Sequence, residues 1–206
     1  YVLPFMLIAF VVTGLWGALT FKKRLHRSSY ASQWYLLLAL FAFAWIFMGA
    51  QAMLFCQPVQ GAFQYLVGAW YIDGLINLGL VPVAFAALYY FIPKVLGTHV
   101  IGYRSTGSTF WLWVLFASAS GVASMINGPI PAWIASAGVI ASFAMFAPGL
   151  TLGIQFFSSC FARFARIWDT VSMRFVFVGL IGFAFYLWHH GVGALRMTNE
   201  VTQFSS

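Results

Sequence analysis

Trp70–Lys94, WYIDGLINLGLVPVAFAALYYFIPK, is apolar almost throughout, holds a single carboxylate at Asp73 and closes on Tyr89, Tyr90, Pro93 and Lys94. Tyr and Lys at the end of an apolar run mark a membrane–water interface. A carboxylate inside such a run is costly in lipid and is retained for a reason. The rest of the chain fits around this segment. Apolar residues make up 63% of it and charged residues 6%, against about 25% charged in soluble domains. The composition therefore reads as an all-α polytopic membrane protein. Six spans are expected, at about 1–21, 33–55, 62–92, 108–126, 131–159 and 172–195, each near the ~20 residues that cross a bilayer. They form a single transmembrane domain over 1–206. The chain opens on Tyr1 and closes on TQFSS, which reads as part of a longer polypeptide.

The net charge of +7 sits in short connections and does not point to nucleic acid. Lys22, Lys23, Arg24 and Arg27 lie between the first two spans. Lys94 and Arg104 follow the third, and Arg163, Arg166 and Arg174 flank the join between the last two. Only Arg196 falls on the other side. An excess of Lys and Arg marks the cytoplasmic face, so loops 22–32, 93–107 and 160–171 are expected there. On this topology Cys56 and Cys160 lie at opposite faces, beyond the reach of a disulfide, and both read as small apolar filler. Pro82 and Pro148 are expected to bend their helices, because proline removes a ladder donor.

Asp73 lies roughly 16 Å into its span, counting 1.5 Å per residue from Ala62. It could serve as a proton or ion site or anchor a cofactor. Equally, it could be a protonated acid bonded to a neighbouring helix. His189 and His190 fall at a similar depth on the last span. Neighbours on a helix point about 100° apart, so the two rings cannot grip one ion from one face. A haem or metal ligand is one reading, and interfacial hydrogen bonding is the favoured one. Because no Lys or Arg lies near Asp73, it is expected to bond across the bundle to one of these imidazoles or to water. His26 and His99, in basic loops, read as solvated. No phosphate loop, HExxH or GxSxG motif is present.

Three stretches in order resemble subunit I of the cbb3-type haem-copper oxidases, from its fourth helix to just before its tenth. TFKKR and QWYLLLALF (Thr20–Phe41) are similar to that family's basic turn and helix entry. Trp70–Lys94 followed by GYRS (Gly102–Ser105) resembles its sixth helix, and NGPIPAWIASAGVIASFAMFAPGLTLGIQ (Asn127–Gln155) its eighth. The resemblance covers nearly the whole chain. It implies a bundle of about twelve helices in a bacterial inner membrane, within a respiratory complex containing other subunits such as cytochrome c-type ones. The departures fall on the family's metal site. Its sixth-helix copper histidine corresponds to Asp73, its His–His pair to Ala123 and Ser124, and its active-site tyrosine to a position near Ala117. Alanine offers no ligand, and one carboxylate is a poor copper site. The resemblance thus implies no catalytic residue and no metal ligand on this chain. Copper is not expected. Haem is left to the remainder of the polypeptide or complex, since the family's axial histidines lie outside the matching stretch. The expected function is that of a non-catalytic subunit of a respiratory electron-transfer complex, with a polar cluster of Asp73, His189 and His190 at the vacated site. Two alternatives stay open. One is a catalytic terminal oxidase or nitric oxide reductase with ligands outside the stretch. The other is a proton- or cation-coupled transporter using Asp73.

Overall fold

The computed structural model describes residues 2–23, 29–56, 61–125 and 130–195, with the side chains of residues 2, 55, 56, 62, 124 and 125 excepted. The described residues form nine α-helices joined by π-helical and 3-10 segments: α1 Val2–Lys22, α2 Ala31–Gln51, α3 Ala62–Gly74, α4 Val81–Leu96, α5 Thr106–Ala117, α6 Ala132–Ala144, α7 Phe146–Phe161, α8 Phe164–Asp169 and α9 Val171–Gly193. Five segments are long and apolar enough to cross a bilayer: Leu3–Lys22, Ala31–Leu54, Phe63–Leu96, Ala132–Phe161 and Val171–Gly193. The described residues are all-helical, and five such segments make a multi-pass membrane protein.

The expected span over 108–126 is not one helix. Its α-helical part, α5, has 12 residues. At 1.5 Å per residue this reaches about 18 Å, short of a core of about 30 Å. The chain turns at Ser118 and Ala119, and Ser120–Met125 continue as a 3-10 helix. Serine hydroxyls that bond local carbonyls compete with the helical ladder, and Ser118 does so: its Oγ donates to Leu115 O at 2.8 Å. Trp70 Nε1 donates to the Ser118 carbonyl at 3.0 Å, drawing the break against α3.

The two prolines act at a distance of a few residues. Proline lacks an N–H and its ring crowds the carbonyl four residues back. For Pro82 that carbonyl is Leu78, inside a π-helical stretch, Leu75–Leu80, that widens the third span just before α4. The Val81 N–H bonds to Ile76 O, one residue further back than in an α-helix. Pro148 stands in the first turn of α7, and the helical run breaks at Met145 between α6 and α7. At the far end of the third span, Gly97 closes α4 in the left-handed region at φ +64°, its N–H bonded to Pro93 O at 2.9 Å, the αL cap that glycine adopts without strain.

Aromatic rings fill the centre. Phe85 lies edge-on to Trp113 at 5.0 Å, to Phe183 at 5.3 Å and to Tyr35 at 5.4 Å. All but Phe183 are fully or almost fully buried. In lipid such packing, not the expulsion of apolar surface from water, holds helices together. One end of the bundle gathers the described basic side chains. There Arg166 Nη1 donates to Leu96 O at 3.0 Å and the Ala31 N–H to the Tyr103 hydroxyl at 2.8 Å. Cys160, in α7, is buried and free. The Cys56 side chain and residues Arg24, His26, Arg27 and Arg196 lie outside the described residues.

Candidate functional site: the Asp73 cluster

Asp73 stands one residue before the end of α3, and the π-helical stretch that follows carries Asn77. Residues four apart share a helix face, and Asn77 Nδ2 donates to Asp73 Oδ1 at 2.9 Å. Asn77 is fully buried. Its backbone carbonyl, displaced from the regular ladder by the π-helix, accepts the Trp113 indole N–H at 2.8 Å. The side-chain carbonyl of Asn77 accepts the Tyr186 hydroxyl. Every polar group of Asn77 that these contacts engage faces a partner of the opposite hydrogen-bonding sense.

From α9 comes His190, whose Nε2 lies 3.2 Å from Asp73 Oδ1. It lies 3.4 Å from Asn77 Nδ2. Because a carboxylate can only accept, the assignment consistent with the 3.2 Å contact puts a proton on His190 Nε2, directed at Asp73. The Nδ1 of His190 is buried with no partner. The 3-10 segment supplies the last contact: Ser120 Oγ donates to Asp73 Oδ2 at 2.5 Å, and Ser120 O accepts from Ser142 Oγ of α6 at 3.0 Å. Asp73 thus accepts from an amide, an imidazole and a hydroxyl on three different elements, the set of donors that a carboxylate requires when withdrawn from water.

Backbone proximity makes this possible. A Cβ on Gly121 would lie 2.7 Å from Asp73 Cβ and 2.9 Å from Trp70 Cα, and one on Gly138 would lie 2.7 Å from the Ala123 N. The 3-10 segment is therefore wedged between α3 and α6 at a spacing only glycine permits. A cavity of about 390 Å³ opens beside it, lined by Asp73, Ser120, Ala123, His189 and His190 among others.

Of the residues singled out in the sequence, the structure brings Asp73 and His190 into hydrogen-bonding distance and places Ala123 on the same cavity. His189 lines the cavity from an exposed position, and no bond from it to Asp73 is formed. Ala117 is buried at the end of α5 and is not on the cavity wall. The Ser124 side chain is outside the described residues. Asn77, Ser120, Ser142, Trp113 and Tyr186 escaped the sequence reading. Two of them had a signal: Asn77 is four residues after Asp73, and Tyr186 four before His190.

Asp73 and His190 are already bonded to each other, and no group of three His, Cys, Asp or Glu is close enough to hold a metal among the described residues. Ala123 has no donor atom, so the copper site of the resembled oxidases does not fit these side chains. No protein-family model and no curated protein matches the chain.

Proposed function

We propose that this chain is a membrane subunit of a respiratory electron-transfer complex, similar to subunit I of the cbb3-type oxidases, in which the copper-holding position has become a proton-bearing polar clamp. The full bundle would contain about twelve helices in a bacterial inner membrane, with the basic end in the cytoplasm and other subunits of the complex alongside. One observation carries the reading. Positions 73 and 123, which the resemblance assigns to copper ligands on two different helices, line the same cavity. The residues there are an acid satisfied by Asn77, Ser120 and His190 and an alanine with no ligand atom. Such a clamp joins α3, the 3-10 segment and α9 without a metal. Electron transfer through haem, if the complex performs it, would then depend on ligands supplied from outside this stretch.

The test is the metal content of the complex purified from its native membrane. Haem without copper stoichiometric with this chain is the expected result. One copper per copy of the chain would overturn the reading in favour of a catalytic oxidase or nitric oxide reductase.

A second reading has its own observation: the Asp73–His190 pair sits on the wall of a cavity of about 390 Å³, an arrangement suited to proton or cation coupling. Uptake of a cation or proton by proteoliposomes holding only this polypeptide, abolished by Asp73→Asn, would favour that reading.

A further inference from the structure

At the basic end of the bundle, the start of α2 and the end of α4 enclose a groove of about 910 Å³. Its polar walls include Tyr30, Gln33, Tyr90, Lys94, His99 and Tyr103, the Gln33 side-chain carbonyl already accepts the Tyr30 N–H, and no acid lines it. The hydrogen-bond directions are one-sided. Lys94 Nζ donates to the Tyr90 hydroxyl at 2.7 Å and lies 4.7 Å over the Tyr90 ring. An ammonium has three hydrogens, so two remain to give. Having accepted from Lys94, the Tyr90 oxygen keeps its own O–H as a donor. The Tyr103 hydroxyl accepts the Ala31 N–H at 2.8 Å and likewise retains its hydrogen. The groove therefore offers an ammonium, two phenol O–H groups and an imidazole. Donors in excess of acceptors, with no carboxylate to neutralise them, solvate an anion.

Depth identifies the anion's source. α2 begins and α4 ends at this groove, so it stands where spans leave the hydrocarbon and headgroups begin. The three tyrosines and Lys94 are partly exposed, as interfacial anchors are. Pro93 and Val100 add apolar wall, against which a glycerol backbone and the first acyl carbons would pack. We propose that this groove seats the phosphodiester of an anionic phospholipid headgroup, with Lys94 as its charge partner and the Tyr90 and Tyr103 hydroxyls donating to its oxygens. The inference rests on the chain spanning a bilayer and is independent of any respiratory role.

Native mass spectrometry of the protein purified in mild detergent, titrated with phosphatidylglycerol, phosphatidylcholine or inorganic phosphate, tests it. We expect one phosphatidylglycerol to be retained per chain, in preference to phosphatidylcholine and undisplaced by a large excess of phosphate. Lys94→Gln should weaken retention about fivefold, the effect of one basic group at an anionic surface. Lys94→Arg should retain the lipid, and Lys22→Gln, equal in charge loss but outside the groove, should leave retention unchanged. If Lys94→Gln lowers the unfolding temperature, Tyr90→Phe, which keeps the ring and loses the O–H, provides the same test. Equal retention of both lipids, equal losses from Lys94→Gln and Lys22→Gln, or unchanged retention in Lys94→Gln and Tyr90→Phe would each overturn the proposal. Displacement by inorganic phosphate would make the groove a soluble-anion site and overturn it too.

Discussion

Asp73 is held by donors whose own positions depend on it, and its removal should cost more than its replacement. Truncation by Asp73→Ala leaves the Asn77 amide, the His190 imidazole and the Ser120 hydroxyl facing an apolar void. Each donor left without its acceptor costs about 1–3 kcal/mol, so losing the acceptor for all three should cost more than losing it for one. Asp73→Asn keeps one carbonyl acceptor and should cost about 1–3 kcal/mol, the usual penalty for one imperfectly satisfied buried group. Thermal unfolding and complex yield in detergent should therefore rank wild type, Asn, then Ala. Identical values for all three would show the acid to be incidental. This residue-scale pattern was half legible in the sequence. The run from Asp73 to Asn77 and that from Tyr186 to His190 are each four residues, one helical face, so each pair could be read as a unit. Nothing in the sequence said which of His189 and His190 turns inward, since that depends on the rotation of α9. That rotation is set by Met173, Leu180 and Leu187, buried at intervals of seven along the helix. Ser120 could not be found at all, because its approach to Asp73 follows from a helix break that composition did not announce.

The elements around the cluster are irregular where the site requires it. The third span opens into a π-helix at Leu75–Leu80, and the next membrane segment gives up α-helix at Ser118. Length and hydropathy foresaw spans at 33–55, 62–92, 131–159 and 172–195 because about 20 apolar residues suffice to signal them. The same criterion did not reveal the break inside 108–126, where apolar composition conceals a serine that bonds backward and a glycine pressed onto α3. Two element-scale outcomes follow. Trp113→Phe preserves the packing on Phe85 but orphans the Asn77 carbonyl inside the π-helix, and should lower stability by about 1–3 kcal/mol. Gly121→Ala must push α3 and the 3-10 segment apart, since the new methyl would stand 2.7 Å from Asp73 Cβ. Overpacking of this kind costs about 1–3 kcal/mol. Gly153→Ala is the control: a Cβ there meets nothing within 4 Å, and in mid-helix the change should be neutral or stabilising by up to about 1 kcal/mol. Unfolding temperatures for the two glycine variants should move in opposite directions. A parallel rise in both would mean that helix propensity, not close approach, governs Gly121.

At the scale of the whole molecule, charge and fold assign the same side. Lys22 and Lys23 end α1, Lys94 lies in the last turn of α4, and Arg163, Arg166 and Arg174 surround α8. The structure ties these ends together through Arg166 to the Leu96 carbonyl and Ala31 to Tyr103, so they share one face of the bundle. The opposite face receives the start of α3 and the end of α9, near Asp73 and His190. Since Lys and Arg in short loops set orientation during insertion, the basic face should be cytoplasmic and the Asp73 cavity should lie nearer the outer face. The measurement is cysteine accessibility in intact spheroplasts, in a Cys56→Ala/Cys160→Ala background with single cysteines at Ser29 or Gln60. An impermeant maleimide should label position 60 at once and position 29 only after permeabilisation. The reverse pattern would invert the molecule, turning the anionic-lipid groove outward and opening the Asp73 cavity towards the cytoplasm. Proton exchange at Asp73 would then have to be sought from the cytoplasmic side.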